Sequence, residues 1–195
     1  MVSWIAATPL RWHILGVLVV ALAVSGLFGG LDRVSRPDLP AVAEDQRYDG
    51  KPWNVTVNGV GTLTDATDFR LEPETDGDRW LVASITVEVT SERSRADFEE
   101  SIRLRPLAGL RDPKPKKAVL RRDAPGPAYD LHPGMPEELY LFWELAGDAT
   151  PPRQVEIEIV GMTYRKDSLT GHLDWKDPES KAVVRAAVKD LDAAA

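Results

Sequence analysis

The stretch from Asp78 to Thr90, DRWLVASITVEVT, decides how the rest of the chain is read. It alternates with period two. Leu81, Ala83, Ile85, Val87 and Val89 share one side, and Trp80, Val82, Ser84, Thr86 and Glu88 share the other. Side chains of a strand point alternately to opposite faces, whereas a helix repeats every 3.6 residues. The run is also rich in β-branched residues, which suit a pleated, half-buried surface. It predicts a strand with one fully apolar face.

The same pattern recurs outward in both directions. Upstream, PWNVTVNGV places Trp53, Val55 and Val57 on one face, and GTLT continues it after Gly59 or Gly61. Downstream, SIRLRPL alternates Ile102 and Leu104 with Arg103 and Arg105, and KAVLRR is a shorter candidate. ELYLFWEL alternates Leu139, Leu141, Trp143 and Leu145 with Tyr140, Phe142 and Glu144. QVEIEIVGM alternates Val155, Ile157 and Ile159 with Glu156 and Glu158, and MTYR and HLDW are brief apolar pieces near the end. Turn signals separate these runs: Asp76-Gly77, Asp112-Pro113, Gly126-Pro127, Pro133-Gly134 and Pro151-Pro152. Short alternating strands between Gly/Pro turns predict an all-β domain of antiparallel sheets, a sandwich or barrel with one wet side.

The last segment, DPESKAVVRAAVKDLDAAA, fits two patterns. Asp177-Pro178 would start a helix with Val184, Ala187, Val188 and Leu191 in a stripe. Val184, Ala186 and Val188 also alternate as a strand would, and an edge partner for the sheet favours the strand. Residues 192–195 are expected to fray.

The N-terminus has a different character. ILGVLVVALAVSGLFGGL, from Ile14 to Leu31, is 18 residues without a charge, and Trp12 and His13 extend it to 20. That is the length a bilayer-spanning helix needs. No helical face of it is polar, and Trp4 and Trp12 suit a membrane interface. Ala21-Leu22-Ala23 offers the alternative of a cleaved signal, but the triplet lies mid-run, and cutting there leaves an apolar start. The expected organisation is a tail at 1–11, a transmembrane helix at 12–31, a Pro-containing linker at 32–50, a β-sandwich at 51–191 and a frayed tail at 192–195. Arg33, Arg36 and Arg47 outnumber Arg11, which by charge alone would keep the domain inside. Long domains translocate largely regardless of charge, so the expected topology is a single pass through the plasma membrane, N-terminus cytoplasmic and domain extracytoplasmic. Gly26 and Gly30 form a weak G-x-x-x-G helix-packing pattern.

The chain has 195 residues, so removing anchor and linker leaves about 145, enough for one core. A net charge of −7 argues against nucleic acid as a partner. The absence of cysteine excludes disulfides, thiolate metal sites and cysteine nucleophiles. His13, His132 and His172 give no H-x-x-x-H pair, and no G-x-S-x-G occurs. Neither a catalytic role nor a cofactor is expected. Two surfaces stand out as binding candidates. Tyr140 and Phe142 put aromatics on the outer face of a strand, as a partner surface would. Lys114, Lys116, Lys117, Arg121 and Arg122 form a positive stretch in an acidic domain, suited to anionic ligands or headgroups. An acidic loop with Asp65, Asp68, Glu72, Glu74, Asp76 and Asp78 offers hard oxygen ligands, without a full calcium-loop pattern.

The arrangement resembles the telokin-like, immunoglobulin-type domains that follow a single N-terminal anchor in many Gram-positive, especially actinobacterial, proteins. DRWLVASITVEVT and LHPGMPEELYLFWEL carry the resemblance, the latter with Pro133-Gly134 as a turn before a strand returning to the core. It spans Trp53 to Leu191. SERSRADFEES replaces an Asn usual after the long strand, and SLTGHLDW has no counterpart. The resemblance implies an immunoglobulin-like sandwich acting as an extracytoplasmic binding or accessory module, through protein contacts in an envelope or transport complex. The alternative is an extracytoplasmic solute- or ion-binding domain. Besides membrane lipid along 12–31, the expected partner is an envelope protein.

Overall fold

The computed structural model describes residues 38–121, 126–127 and 130–194. The tail, the apolar run at 12–31 and Arg122 lie outside the described residues, and among those described no helix is long and apolar enough to cross a membrane. The unit beginning at Leu39 contains ten described strands: β1 (Ala41–Val42), β2 (Tyr48–Asp49), β3 (Trp53–Leu63), β4 (Arg79–Val89), β5 (Ile102–Leu104), β6 (Lys117–Leu120), β7 (Gly126–Pro127), β8 (Glu137–Leu145), β9 (Gln154–Lys166) and β10 (Leu173–Asp190).

The strands form two sheets. One runs β2-β3-β4-β8-β6-β7 and is antiparallel throughout. The other runs β1-β10-β9-β5. β10 belongs to both. It pairs antiparallel with β9 from Leu173 to Ala187, then runs parallel to β3 over Val188–Asp190. The final segment is therefore a strand. Its position beside three other strands supplies the edge partner that the helical reading would have left missing.

The pleat explains the core. Leu81, Ala83, Ile85, Val87 and Val89 are all buried, with Trp53, Val55, Val57, Leu139, Leu141 and Trp143 beside them. Val155, Ile157, Ile159, Ala182, Val184 and Ala186 face them from the second sheet. One irregularity resets the alternation in β3. Val57 opposes Ile85, but Gly59 opposes Ser84, so Asn58 is an extra residue. A one-residue shift moves every following side chain to the other face. Val60 consequently points into the core where Gly59 would have stood.

The outer face of the larger sheet is not wet along its whole length. Residues 64–78, with a 3-10 turn at Thr67–Phe69, lie across it as a strap. Ala66, Leu71 and Phe69 cover Trp80, Val82, Val119 and Phe142. Phe142 is fully buried, with its ring 5.0 Å from Phe69 and 6.1 Å from Trp80. This corrects its assignment to an exposed partner surface: the aromatics on that face of β8 are packed beneath the strap. Tyr140 remains half-buried at the margin.

The segment read as a linker is also partly structured. Ala41 and Val42 pair with Val183 and Val184, and Tyr48 and Asp49 pair with Val55 and Asn54. The domain thus begins near Leu39 rather than at residue 51. Two-residue strands leave no periodicity in the sequence, which is why the Pro-rich, charged composition read as linker.

Candidate functional site

β9 and β10 outrun the rest of their sheet. β5 covers β9 only at Ile157–Ile159, whereas β9 and β10 continue pairing from Thr163 with Lys176 to Lys166 with Leu173. The result is a two-stranded arm. Its turn is closed by Asp167, whose carboxylate accepts from the backbone N–H of Thr170 at 2.8 Å and of Leu169 at 2.9 Å. Those two donors hold the Asp167 carboxyl below its ordinary range. Gly171, at φ +74°, takes the left-handed conformation that the turn requires.

Tyr164 opposes Trp175 across the arm, their ring centroids 5.2 Å apart, and Met162 and Leu173 lie on the same face by period two. Tyr164 is 51% exposed, Leu173 58% and Leu169, at the tip, 95%. Three of the exposed large apolar side chains of the described domain thus sit on one arm.

That face of the arm forms one wall of a cleft of about 1030 Å³. The opposite wall is the loop at 90–97 after β4, and Lys51 lies at the edge. Arg95 ties the walls together. Its guanidinium lies 5.5 Å from the Trp53 ring centroid and 5.9 Å from that of Trp175. Its Nε donates to Asp97 at 2.9 Å, and a second guanidinium nitrogen pairs with the other Asp97 oxygen. Its backbone N–H donates to the Leu131 carbonyl at 3.0 Å and its carbonyl accepts from Leu131 at 2.8 Å. Trp53 is held from behind by Phe98, edge to face at 5.1 Å. The Arg95 side chain is only 12% exposed, so it builds the cleft rather than offering a free charge.

The lining balances its charges. Lys51, Arg93 and Arg95 line the cleft together with Glu92, Asp97 and Asp174, and Thr90, Ser91, Ser94 and Thr163 add hydroxyls. Such a surface suits a ligand with both polar and apolar groups and no strong net charge. Ser94 Oγ lies 2.8 Å from His132 Nδ1 at the exposed rim.

The basic stretch read from the sequence is dispersed by internal pairing. Lys116 Nζ binds Glu144 at 2.9 Å and Glu74 at 3.1 Å, and lies 5.7 Å from the Trp80 ring centroid. Burial lowers its pKa, and the two carboxylates more than offset that, leaving it raised. Arg121 pairs with Glu138 at 2.8 Å and sits 5.9 Å from the Tyr140 ring centroid. Lys114 is exposed and Lys117 half-buried. Two of the patch cations therefore serve the fold. The acidic loop is used the same way. Asp78 is buried and accepts two bonds from Arg111, at 2.8 and 3.1 Å, and one from the Gly147 N–H at 2.9 Å. The Arg111 guanidinium holds the Asp78 carboxyl below its ordinary range despite burial. Glu144 accepts from the backbone N–H of Glu74 at 2.6 Å, tethering the strap. Among the described residues, no group of three His, Asp or Glu side chains is placed to hold a metal ion.

The described domain is a β-sandwich. No family model matches the chain, and no curated protein matches it. It is similar to an uncharacterized β-sandwich protein of Clostridium difficile 630, with 9% identity and a TM-score of 0.48, over 78% of this chain and 97% of that one. It is also similar to a candidate lipoprotein of Bacillus subtilis subsp. subtilis strain 168, with 12% identity and a TM-score of 0.43. That match covers 74% of this chain and 38% of the other, so the chain spans well under half of that protein.

Sequence reasoning did not single out Arg95, Tyr164 or Trp175. Tyr164 and Trp175 lay in the short pieces MTYR and HLDW, and their spacing around Thr170-Gly171 was the available signal for an exposed hairpin.

Proposed function

We propose that the chain is a membrane-anchored, extracytoplasmic binding or accessory module whose recognition surface is the cleft between the arm and the 90–97 loop. The observation that carries this reading is the arm itself. A two-stranded ribbon that adds nothing to the core, yet presents Tyr164, Leu173 and Trp175 against a rigidified polar loop, has the chemistry of a recognition surface. The anchored placement is supported by the uncharged run at 14–31. The telokin-like, immunoglobulin-type relationship is supported by two packed sheets with a first strand parallel to the last. The partner is a protein of the envelope or of a transport complex, seated by the aromatic wall and fixed by Arg93, Glu92 and Asp174 at the mouth.

A second reading, a small-solute site, is favoured by the cleft's volume, which is at the upper end of ligand pockets of about 300–1,000 Å³. Cross-linking in native membranes followed by purification in mild detergent separates the two. A stoichiometric protein recovered with the wild-type chain, and lost with Tyr164→Ala plus Arg93→Glu, is the expected result. A well-folded chain recovered alone would reject the protein-partner reading and leave the solute reading.

A further inference from the structure

We infer that the partner adds an extended, mildly acidic peptide segment to the open edge of β9 as a further strand, an inference that rests on the protein-partner reading and gives that partner its binding mode.

Backbone parity identifies the edge. The Asp167 N–H donates to the His172 carbonyl at 2.7 Å, across the arm, whereas the Met162 N–H donates to the Lys51 carbonyl at 2.9 Å, on the side away from β10. In an antiparallel ladder the N–H and C=O of one residue point the same way, and the direction alternates along the strand. Both register shifts between β9 and β10 put the extra residues in β10, so the alternation in β9 is unbroken. Thr163, Arg165 and Asp167 therefore bond to β10, and Met162, Tyr164 and Lys166 turn their backbone groups outward. β5 reaches no further along β9 than Ile159, and Lys51 fills the slot at Met162. The N–H and carbonyl of Tyr164 and the N–H of Lys166 are left without a partner among the described residues.

The other edge of the same arm is closed. Trp175 opposes Tyr164 and so points outward from β10, and its N–H is taken by the Asp174 carboxylate at 2.8 Å. Pro178, further along β10, has no N–H to offer. Proteins guard sheet edges against pairing with devices of this kind. Within one ribbon, then, β10 is capped while β9 keeps its donors and acceptor open beside the cleft that Met162, Thr163 and Tyr164 line.

Outward donors and acceptors in strand register are matched by another extended backbone, which fixes the occupant as peptide. Charge narrows it further. Arg95 is held by Asp97, and Asp174 pairs with Lys176 at 3.2 Å. Lys51, Arg93 and Lys166 have no carboxylate partner among the described residues, against Glu92 alone of opposite sign. Three unpaired cations to one anion favour a segment carrying Asp or Glu. A second copy of this chain fits poorly. Pairing two β9 edges about a two-fold axis at Tyr164 brings the Lys166 end of each copy to the Lys51 end of the other, cation on cation.

The probe is a set of decapeptides selected from a random phage library on the full-length chain in mild detergent. The enriched sequences should be rich in β-branched residues and in Asp or Glu. Tyr164→Pro deletes one outward N–H and leaves the ladder to β10 intact, whereas Tyr164→Val keeps that N–H and removes the ring. By fluorescence anisotropy, Tyr164→Pro should bind the peptides about tenfold more weakly than Tyr164→Val does, and N-methylation of alternate peptide amides should weaken wild-type binding similarly. The methylated peptide keeps the test valid if the proline disturbs the arm. No enrichment, equal affinity of the two variants, or indifference to N-methylation would each overturn the inference. So would a sedimenting dimer of the chain that Tyr164→Pro dissociates, because a second copy would then hold the edge. Cross-linking in native membranes separates the two levels. A stoichiometric protein recovered with the wild-type chain, while the peptide results fail, would sink strand addition alone; a chain recovered by itself would sink the protein-partner reading with it.

Discussion

Arg95 joins two elements far apart in sequence, and only its particular geometry allows it. The planar guanidinium lies near two indole rings while its edge meets the Asp97 carboxylate, so one side chain makes cation–π and charge-assisted contacts at once. A lysine keeps the charge but loses the fork and the stacking plane. Arg95→Lys should cost about 1 kcal/mol and Arg95→Ala about 2–3 kcal/mol, read from urea midpoints, with a change in tryptophan fluorescence from Trp53 and Trp175. The acid sensitivity of the domain is also a residue-level property. Asp78, held down chiefly by Arg111, and Glu156, held down chiefly by Arg185, both have folded pKa values below their unfolded ones. Their stabilisation is therefore complete above the unfolded values, near pH 4, and is lost as pH falls through the folded values. The urea midpoint should be flat between about pH 7 and pH 5 and fall below about pH 4, less steeply in Asp78→Asn. None of these pairings was legible in the sequence. Lys116 and Arg121 read as part of a free basic patch because spacing shows that charges are near each other along the chain, not which carboxylates fold against them.

The strap over the larger sheet depends on one buried carboxylate near its C-terminal end. Glu144 sits on β8 beneath it and accepts from Glu74 and Lys116. Glu144→Gln removes the charge that both donors use. It should raise hydrogen exchange through residues 66–76 while β4 and β8 stay protected, at a global cost of about 1–2 kcal/mol. Equal deprotection of β4 would refute a local role. The strands of this sheet were readable because each is long enough to display its period: β4 shows five consecutive inward positions, and β8 and β9 nearly as many. The strap was not. Ala66, Phe69 and Leu71 are scattered among acids, and their burial follows from covering Trp80 and Phe142 rather than from any local repeat. The Asn58 bulge was hidden similarly, since a parity change at Gly59 is indistinguishable in sequence from the end of a strand.

At the scale of the molecule, the core and the arm are energetically separate. Trp53, Trp143 and the apolar faces of both sheets are buried within the sandwich, whereas Leu169 touches solvent almost everywhere. Leu169→Asp should shift the unfolding free energy by no more than about 0.5 kcal/mol, as measured by denaturant titration. A large loss of stability would mean that the arm belongs to the fold. Two packed, mainly antiparallel sheets were the foreseeable outcome of so many half-apolar strands, whereas the parallel pairings of β10 with β1 and β3 were not. The cleft was not foreseeable, because its walls come from Lys51, the 90–97 loop and the distant arm, and only the closed sandwich brings them together.

β10 completes both sheets, pairing with β1, β9 and β3 in turn. Before it has been synthesised, β1 has no partner at all and the second sheet consists of β5 against β9 alone. Neither half of the sandwich can close on the other until almost the whole chain is available. A nascent polypeptide of this design should acquire its native state late, only once its last strand has left the ribosome.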